Sequence, residues 1–471
     1  MRIDNHPILS FPKGEKITFT YQEKEVNAKK GETIAAALHN EGIVELRRSG
    51  DKQRPRGLFC AIGKCSSCLM RVDGVPNVRT CITTAREGMQ VKKQSGFPEL
   101  STDTERLDPA PIKSKTIDLL VIGGGPAGLK ASLTAAKAGA DVAIIDENPF
   151  LGGQLIKQTH KFFGSSQQEA GTRGVEIGEK LVNQVKKHRG IETMTGTSAV
   201  GIYEDTVGLY KNKKRFIRID PKKIVVATGA NEDMIRFTNN DLPGVYGAGG
   251  VQTLMNVYGV KPGDKVLMVG AGNVGLIVTY QLLQAGVDVE VVIEITPEIG
   301  GYFVHAAKIR RFGIPILTNH KLLGVEGKNG VESASIVKMN ETGGVIPNTK
   351  KEFMVDIVAL AVGLSPSYKL LSHASCELEY QPQLGGYVPQ RDTRMKTTRE
   401  EIYVAGDVAG IEEATAAMLE GGIAGADAAL KLGFGGFPEE KLIKDSQKSL
   451  NTLRAGPHYD GLREGLQEVE V

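Results

Sequence analysis

The sequence predicts an α/β protein: a nested pair of Rossmann-like dinucleotide-binding domains, preceded by a small β-rich domain. Three observations carry this reading. A pattern of strand, glycine loop, helix, strand and terminal acid occurs twice; strands that end in glycine follow each occurrence; and four of the five cysteines crowd together ahead of both.

The front comes first. Ile17 to Val26 alternates as a hairpin does, and Glu32 to Asn40 reads as a helix opened by Thr33. Cys60, Cys65, Cys68 and Cys81 then follow in the spacing C-x4-C-x2-C-x12-C. Thiolates are soft ligands, and this spacing is that of a plant-type [2Fe–2S] centre, a one-electron carrier. The front is therefore expected to be a small β-grasp-like plant-type ferredoxin domain over residues 1–100. A structural zinc site also uses four cysteines and stays as the alternative, although it usually pairs two short knuckles. A disulfide framework belongs to small secreted chains, and Met1 to Lys16 lacks the apolar stretch of a secretory signal.

Within the loop, Gly63 can take a positive φ, and small Ala and Ser residues let peptide N–H groups approach cluster sulfurs. From Arg47 to Lys93 there are eleven Lys or Arg against three acids, Asp51, Asp73 and Glu87. Positive charge near the centre favours its reduced form and could steer an acidic partner. A solvated basic face, or one buried where two chains meet, accounts for the same charges.

Beyond a polar, proline-containing linker at residues 101–115, Ile117 to Ile122 is a buried strand running into Gly123-Gly124-Gly125-Pro126-Ala127-Gly128. A helix follows through Ala138, with Gly139 placed to end it, and Asp146 closes the next strand eighteen residues after Gly128. The glycines let a pyrophosphate reach the helix N-terminus, where free N–H groups favour anions, and Asp146 can accept from ribose hydroxyls.

The arrangement recurs. Lys265 to Val269 leads into Gly270-Ala271-Gly272-Asn273-Val274-Gly275, a helix to Ala285, a strand Val287 to Ile293, and Glu294 nineteen residues after Gly275. An acid with no Arg directly after it favours a free 2′-hydroxyl, hence NAD over NADP. The alternative is a scaffold whose nucleotide role is lost or altered.

Strands ending at Gly229 and Gly363 close the two halves, and Ile402 to Asp407 precedes an Ala-rich helix from Glu413 to Leu432. Asp407 can accept from a ribityl or phosphate-side hydroxyl, or simply initiate that helix. The expected organisation is a discontinuous first fold over 116–234 and 366–435, a second fold over 235–365, and a C-terminal surface tail or docking arm over 436–471. Cys376 stands alone as a buried apolar thiol, and His160 is read as a packing or surface residue, with the border of the first fold's bound cofactor as the alternative.

Composition sets outer bounds. At 471 residues, with 41% hydrophobic, 24% charged and a net charge of +3, the chain is globular and carries no nucleic-acid signal. No apolar run approaches the ~18 residues of a membrane span, so no membrane insertion is expected. A cytoplasmic location, where thiols stay reduced, is the default.

Two nested dinucleotide folds with the Gly406-Asp407 pair resemble the two-dinucleotide-binding-domain flavoproteins. That resemblance implies FAD in the first fold, through Gly123, Gly124, Gly125, Pro126, Ala127, Gly128, Asp146, Glu147, Gly153, Gln154, Thr228, Gly229, Gly406 and Asp407. It implies NAD or another nucleotide in the second, through Gly270, Gly272, Asn273, Val274, Gly275 and Glu294. The front is similar to something narrower. Gly31-Glu-Thr-Ile-Ala-Ala-Ala-Leu38, Leu46-Arg-Arg-Ser49, Pro55-Arg-Gly57, Val72-Asp-Gly74 and Pro76-Asn77 resemble the alpha subunits of sarcosine oxidase, and the matching subunits of hydrogen cyanide synthase and opine oxidase. Asp146-Glu-Asn-Pro149, Gly152-Gly-Gln154, Gly363-Leu-Ser-Pro366 and Gly385-Gly-Tyr-Val-Pro389 extend the likeness to dye-linked proline and hydroxyproline dehydrogenases.

The resemblance implies an FAD-dependent oxidoreductase with an iron–sulfur cluster. It would act as the electron-transfer alpha subunit beside a flavin-bearing catalytic beta subunit, with a protein or quinone as electron acceptor. A self-sufficient NADH-dependent reductase and a nucleotide-binding assembly module are the other readings.

Overall fold

In the computed structural model, the described residues are 1–11, 14–98, 112–162, 169–204, 206–212, 215–456 and 459–471. The linker expected at 101–115 lies outside them up to residue 111. The chain divides into two compact units, each built from two separated stretches.

One unit joins Met1–Glu105 to Glu232–Gly363. Its front part is a five-stranded mixed sheet in the order Lys24–Lys29, Lys16–Tyr21, Gln90–Lys92, Leu69–Val72, Val75–Arg79. Lys16–Tyr21 pairs antiparallel with the first of these and parallel with Gln90–Lys92, which is the β-grasp arrangement expected. Helix Ile34–Asn40 crosses it, capped by the Thr33 side chain, which accepts from Ala36 N. Phe19, Val26, Leu38, Met70 and Val91 fill the space between.

The second part is an all-parallel five-stranded sheet: Val245–Gly247, Ile357–Leu360, Lys265–Val269, Asp288–Ile293, Ile316–Leu317. Such strands are buried on both faces, hence their near-continuous Val, Ile and Leu content. The two parts share one core, in which Phe19 and Leu38 belong with Tyr246, Val251 and Met255. Their seam is tight. A Cβ on Gly250 would lie 2.1 Å from Phe59 O, and one on Gly57 would lie 2.8 Å from Pro243 Cα. Inside the seam, His39 meets the Tyr246 hydroxyl through Nε2 at 3.1 Å and Ala35 O through Nδ1 at 3.1 Å. Burial pushes this imidazole down to about 4, so it serves the joint as a neutral ring.

The other unit joins Arg106–Asn231 to Leu364–Val471. Its sheet runs Ile191–Met194, Val142–Ile145, Lys113–Ile122, Arg215–Val226, Thr206–Lys211, Thr197–Tyr203, and Ile402–Val404 also pairs with Arg215–Val226. Helices Pro126–Ala138 and Ala414–Lys431 cross closely: a Cβ on Gly421 would sit 2.1 Å from Ala127 O, and one on Gly425 2.3 Å from Ala131 O. Small residues allow that approach, and any side chain there forces the helices apart.

The C-terminal stretch differs from the expected surface tail. Helix Phe437–Leu453 buries Ile443 and Leu450 in the core of this unit, and Val469 is fully buried with Leu384 and Val388. The apolar stripe is thin, spaced by about two turns, and set among charges, so composition alone conceals it.

Candidate functional site

The cysteine loop curls because three residues adopt the left-handed region, Gly63 at φ +78° and, without glycine's freedom, Ala61 at +53° and Ser66 at +60°. Cys60, Cys68 and Cys81 are buried, whereas Cys65 is exposed. Thr80 fastens the loop by donating to Cys68 O from Oγ1 at 2.7 Å. The thiols lie within hydrogen-bonding reach in pairs: Cys60 with Cys65, Cys68 with Cys81, and Cys60 with Cys81. Donation from Cys65 and Cys81 holds the Cys60 thiol well below its usual range, and donation from Cys81 lowers that of Cys68.

This geometry tests the two metal readings. Zinc gathers its four ligands around one ion. A binuclear cluster takes two thiolates per iron; the thiol contacts here run as one chain, Cys65–Cys60–Cys81–Cys68, so the soft four-thiolate set and its plant-type spacing are what separate the readings. The residues fit [2Fe–2S].

At the first glycine loop, Gly123, Gly124 and Gly128 each have a steric reason. A Cβ on Gly123 (φ +113°) would lie 2.1 Å from Ala227 O, and one on Gly128 only 1.9 Å from Gly123 O. Helix Pro126–Ala138 begins at Gly125 with no side-chain cap and proline at its first turn, leaving N–H groups and the positive dipole end for a pyrophosphate. Gly124 N donates to Asp146 Oδ2 at 2.8 Å, and Asn148 N donates to Oδ1 at 2.8 Å. Burial pushes the Asp146 carboxyl up. Gly152 N donates to Gly124 O, and Gly153 packs on Gly125, where its Cβ would lie 2.6 Å from Gly125 Cα. Glu147 is half-buried beside Asp146, and Gln154 is exposed on the turn Gly153–Lys157.

Neighbouring strand ends complete this site. Val226 pairs with Ile122 and leads to Thr228, whose Oγ1 donates to Ser367 O at 3.1 Å, and to Gly229 at φ +67°. Gly406 (φ +76°) approaches Ala127, and its N–H donates to Glu420 Oε2 at 2.9 Å. Asp407 next to it is pushed up to about 7, by burial first and then by Glu420 and Glu412. Arg454 holds both of those glutamates, Glu412 at 2.6 Å and Glu420 at 2.8 Å. Neither Glu420 nor Arg454 carries a motif; the one hint was an acid inside an Ala- and Gly-rich helix.

The second glycine loop repeats the first. A Cβ on Gly270 would lie 2.2 Å from Ala361 O and one on Gly275 2.0 Å from Gly270 O, and helix Asn273–Gln284 starts uncapped at Gly272. Ala271 N donates to Glu294 Oε2 at 2.8 Å, as Gly124 does to Asp146, while Thr296 N donates to Oε1 at 3.0 Å. Gly301 N returns to Ala271 O, and Asn273 Oδ1 accepts Tyr302 N at 2.8 Å. Val274 is partly exposed on this helix. Aligned on the bonds to Asp146 and Glu294, Asp146-x-x-Pro149-x-Leu151-Gly152-Gly153 and Glu294-x-x-Pro297-x-Ile299-Gly300-Gly301 are the same motif, a repeat longer than the glycine pattern suggests.

Among the described residues, the remaining candidates lie outside these loops. Cys376 is a core thiol with Thr397 Oγ1 at 3.6 Å and a pKa raised by burial, and His160 stacks on Phe162.

Comparison with known proteins agrees with this geometry. Residues 117–421 match the pyridine nucleotide-disulphide oxidoreductase family, and residues 14–96 match a 2Fe-2S iron-sulfur cluster binding domain. The chain is 26% identical over 422 residues to the alpha subunit of sarcosine oxidase from Rhizobium meliloti (strain 1021), covering 76% of this chain and 40% of that one. It is 29% identical over 330 residues to an opine oxidase subunit from Agrobacterium tumefaciens (strain Ach5), covering 65% of this chain and 64% of that one. The chain thus spans less than two thirds of these relatives. Among solved structures, L-proline dehydrogenase from P. horikoshii superposes with a TM-score of 0.71 at 26% identity, over 94% of this chain and 79% of that one. Thioredoxin reductase from T. acidophilum, at 20% identity and a TM-score of 0.56 over 67% of this chain and 99% of that one, shares the fold.

Proposed function

The chain belongs to the pyridine nucleotide-disulphide oxidoreductase family, and from that premise we propose that it is the electron-transfer subunit of a heteromeric amine or amino-acid dehydrogenase or oxidase. It is an oxidoreductase whose cofactors are FAD and a [2Fe–2S] cluster. Cys60, Cys65, Cys68 and Cys81 hold the cluster, and the loop Gly123–Gly128 with Asp146, Thr228, Gly229, Gly406 and Asp407 holds FAD. FAD supplies the exchange between two-electron and one-electron transfer. The four-cysteine loop in plant-type spacing carries this reading, because it puts a one-electron centre in the same chain as a flavin loop.

A flavin-bearing catalytic beta subunit would then oxidise a sarcosine, proline, hydroxyproline or opine type of substrate, and a protein or quinone would accept the electrons. The sarcosine oxidase and opine oxidase relatives are themselves named as subunits, which supports a partner chain. Cys376, alone outside the cysteine loop, has no second thiol there for a redox disulfide. Among the described residues no helix is long and apolar enough to cross a membrane; the need to keep the cluster thiols reduced supports a cytoplasmic location.

Purified chain loaded with flavin and cluster should show no turnover of an amino acid until the partner polypeptide is added; turnover without it overturns the assignment. Cys65→Ser should abolish the cluster's visible absorption and EPR signal while FAD stays bound.

One observation favours a second reading. Glu294 is held by Ala271 N as Asp146 is by Gly124 N, so the second loop can seat a ribose with a free 2′-hydroxyl, and NAD is its first candidate. Rapid anaerobic bleaching of the flavin by NADH would identify a self-sufficient NADH-dependent reductase. Release of ATP rather than NAD on denaturation would make the second fold a structural nucleotide site.

A further inference from the structure

The basic stretch around the cysteine loop is not one field of equal charges. Several of its cations are already paired, four of them on two shared carboxylates. Arg48 pairs with Glu45 through Nε at 3.0 Å, and Lys93 shares that carboxylate at 2.7 Å. Arg54 binds Asp241 through Nε at 2.8 Å, and Arg56 binds the same carboxylate. Lys52, Lys64 and Lys92 are exposed, where water and salt screen them.

Arg47 stands differently. It lies on the short strand Arg47–Arg48, directly across from Arg56. Its Nε is buried with no hydrogen-bond partner among the described residues, and no carboxylate there forms an ion pair with it. The charged groups acting on it are Arg56, a cation that shares Asp241 with Arg54, and Cys68 and Cys65, two cysteines of the proposed ligand set. A buried guanidinium donor without an acceptor is costly, and arginine cannot shed its charge to escape that cost. An acceptor carrying negative charge beside Cys65 and Cys68 removes it.

We propose that Arg47 is a positioning residue of the iron–sulfur centre, its Nε–H donating to a sulfur of the cluster and its charge raising the cluster's reduction potential. One electron enters the cluster on reduction and no proton is required. The added negative charge lies near a fixed cation whose Nε is shielded from water, and hydrogen bonds to sulfur and local charge set the potential. The inference needs the cluster but not the partner chain.

The test is an EPR-monitored redox titration of the purified chain, with its flavin and cluster, as wild type, Arg47→Met, Arg47→Lys and Arg48→Met. Arg47→Met should lower the one-electron reduction constant by about tenfold, about 59 mV for one electron, at full cluster content. Arg47→Lys keeps the charge but loses the planar Nε donor, and its potential should fall between Met and wild type. Arg48→Met, with its charge already spent on Glu45, should leave the potential unchanged. An unshifted Arg47→Met overturns the proposal, as does an equal shift in Arg48→Met. If Arg47→Met fails to retain a cluster, a wild-type potential in Arg47→Lys overturns it.

Discussion

The two glycine loops share a plan and differ in their support. In both, the second loop residue donates to the strand-end acid, and a Gly-Gly pair folds back onto that residue. The second loop is finished by its own short-range groups, Asn273 receiving Tyr302 N and Thr296 fixing Glu294. The first draws on a distant part of the chain: Gly406 and Asp407, steadied by Glu420, which is steadied in turn by Arg454 from the C-terminal helices. One loop plan thus recurs with supports of different reach. Under the proposed assignment the first loop holds the longer cofactor, and Gly406 and Asp407 give it a second anchor beyond the pyrophosphate.

Arg454→Met strikes that difference hardest. It leaves Glu412 and Glu420 as buried charges without their partner, which should cost about 3–5 kcal/mol. Thermal unfolding and released-flavin fluorescence should show a less stable chain that loses FAD, with the nucleotide of the second fold retained. Equal loss of both ligands would mean that the two loops are not independently supported.

Next in size are Gly128→Ala and Gly275→Ala, whose new methyls would lie 1.9 and 2.0 Å from backbone oxygens. Overpacking of this kind costs about 1–3 kcal/mol, roughly 5- to 150-fold in affinity. Each should weaken only its own ligand, read by equilibrium dialysis of flavin and of nucleotide. A Gly128→Ala variant that binds FAD as wild type does would show that this loop does not seat the pyrophosphate.

The smallest effect concerns pH. Asp407 is raised to about 7 from its ordinary 3.8, so between those values the folded chain holds a proton there that the unfolded chain has lost. Stability therefore falls as pH rises from about 4 to 7 and levels off above. Asp407→Asn removes that slope and should raise the melting temperature of flavin-free chain at pH 8, by about 2–4 °C for each kcal/mol relieved, while weakening FAD binding. A parallel pH profile in wild type and variant would remove Asp407 as its source.

What the sequence disclosed follows from what the chemistry forbids. Gly123, Gly128, Gly270 and Gly275 are legible because any Cβ meets a backbone oxygen, and the four clustered cysteines are legible because no fold alone asks for that spacing. Arg47, Glu420 and Arg454 are not legible: each matters through a partner whose nearness only the fold creates. The contact of His39 with Tyr246 spans 207 residues, and no local pattern foretells it. Helix Phe437–Leu453 was concealed differently, its few buried residues outnumbered by charges that face water.

The seam between Phe59 and Gly250 bears on how this protein can be rebuilt. Cutting the chain after the front β-grasp part would strip Tyr246, Val251 and Met255 of their cover and leave two sticky fragments rather than a portable electron carrier. Anyone grafting this redox cassette onto another flavoprotein must transplant two stretches that are strangers in sequence, 1–98 and 232–363, as a single piece.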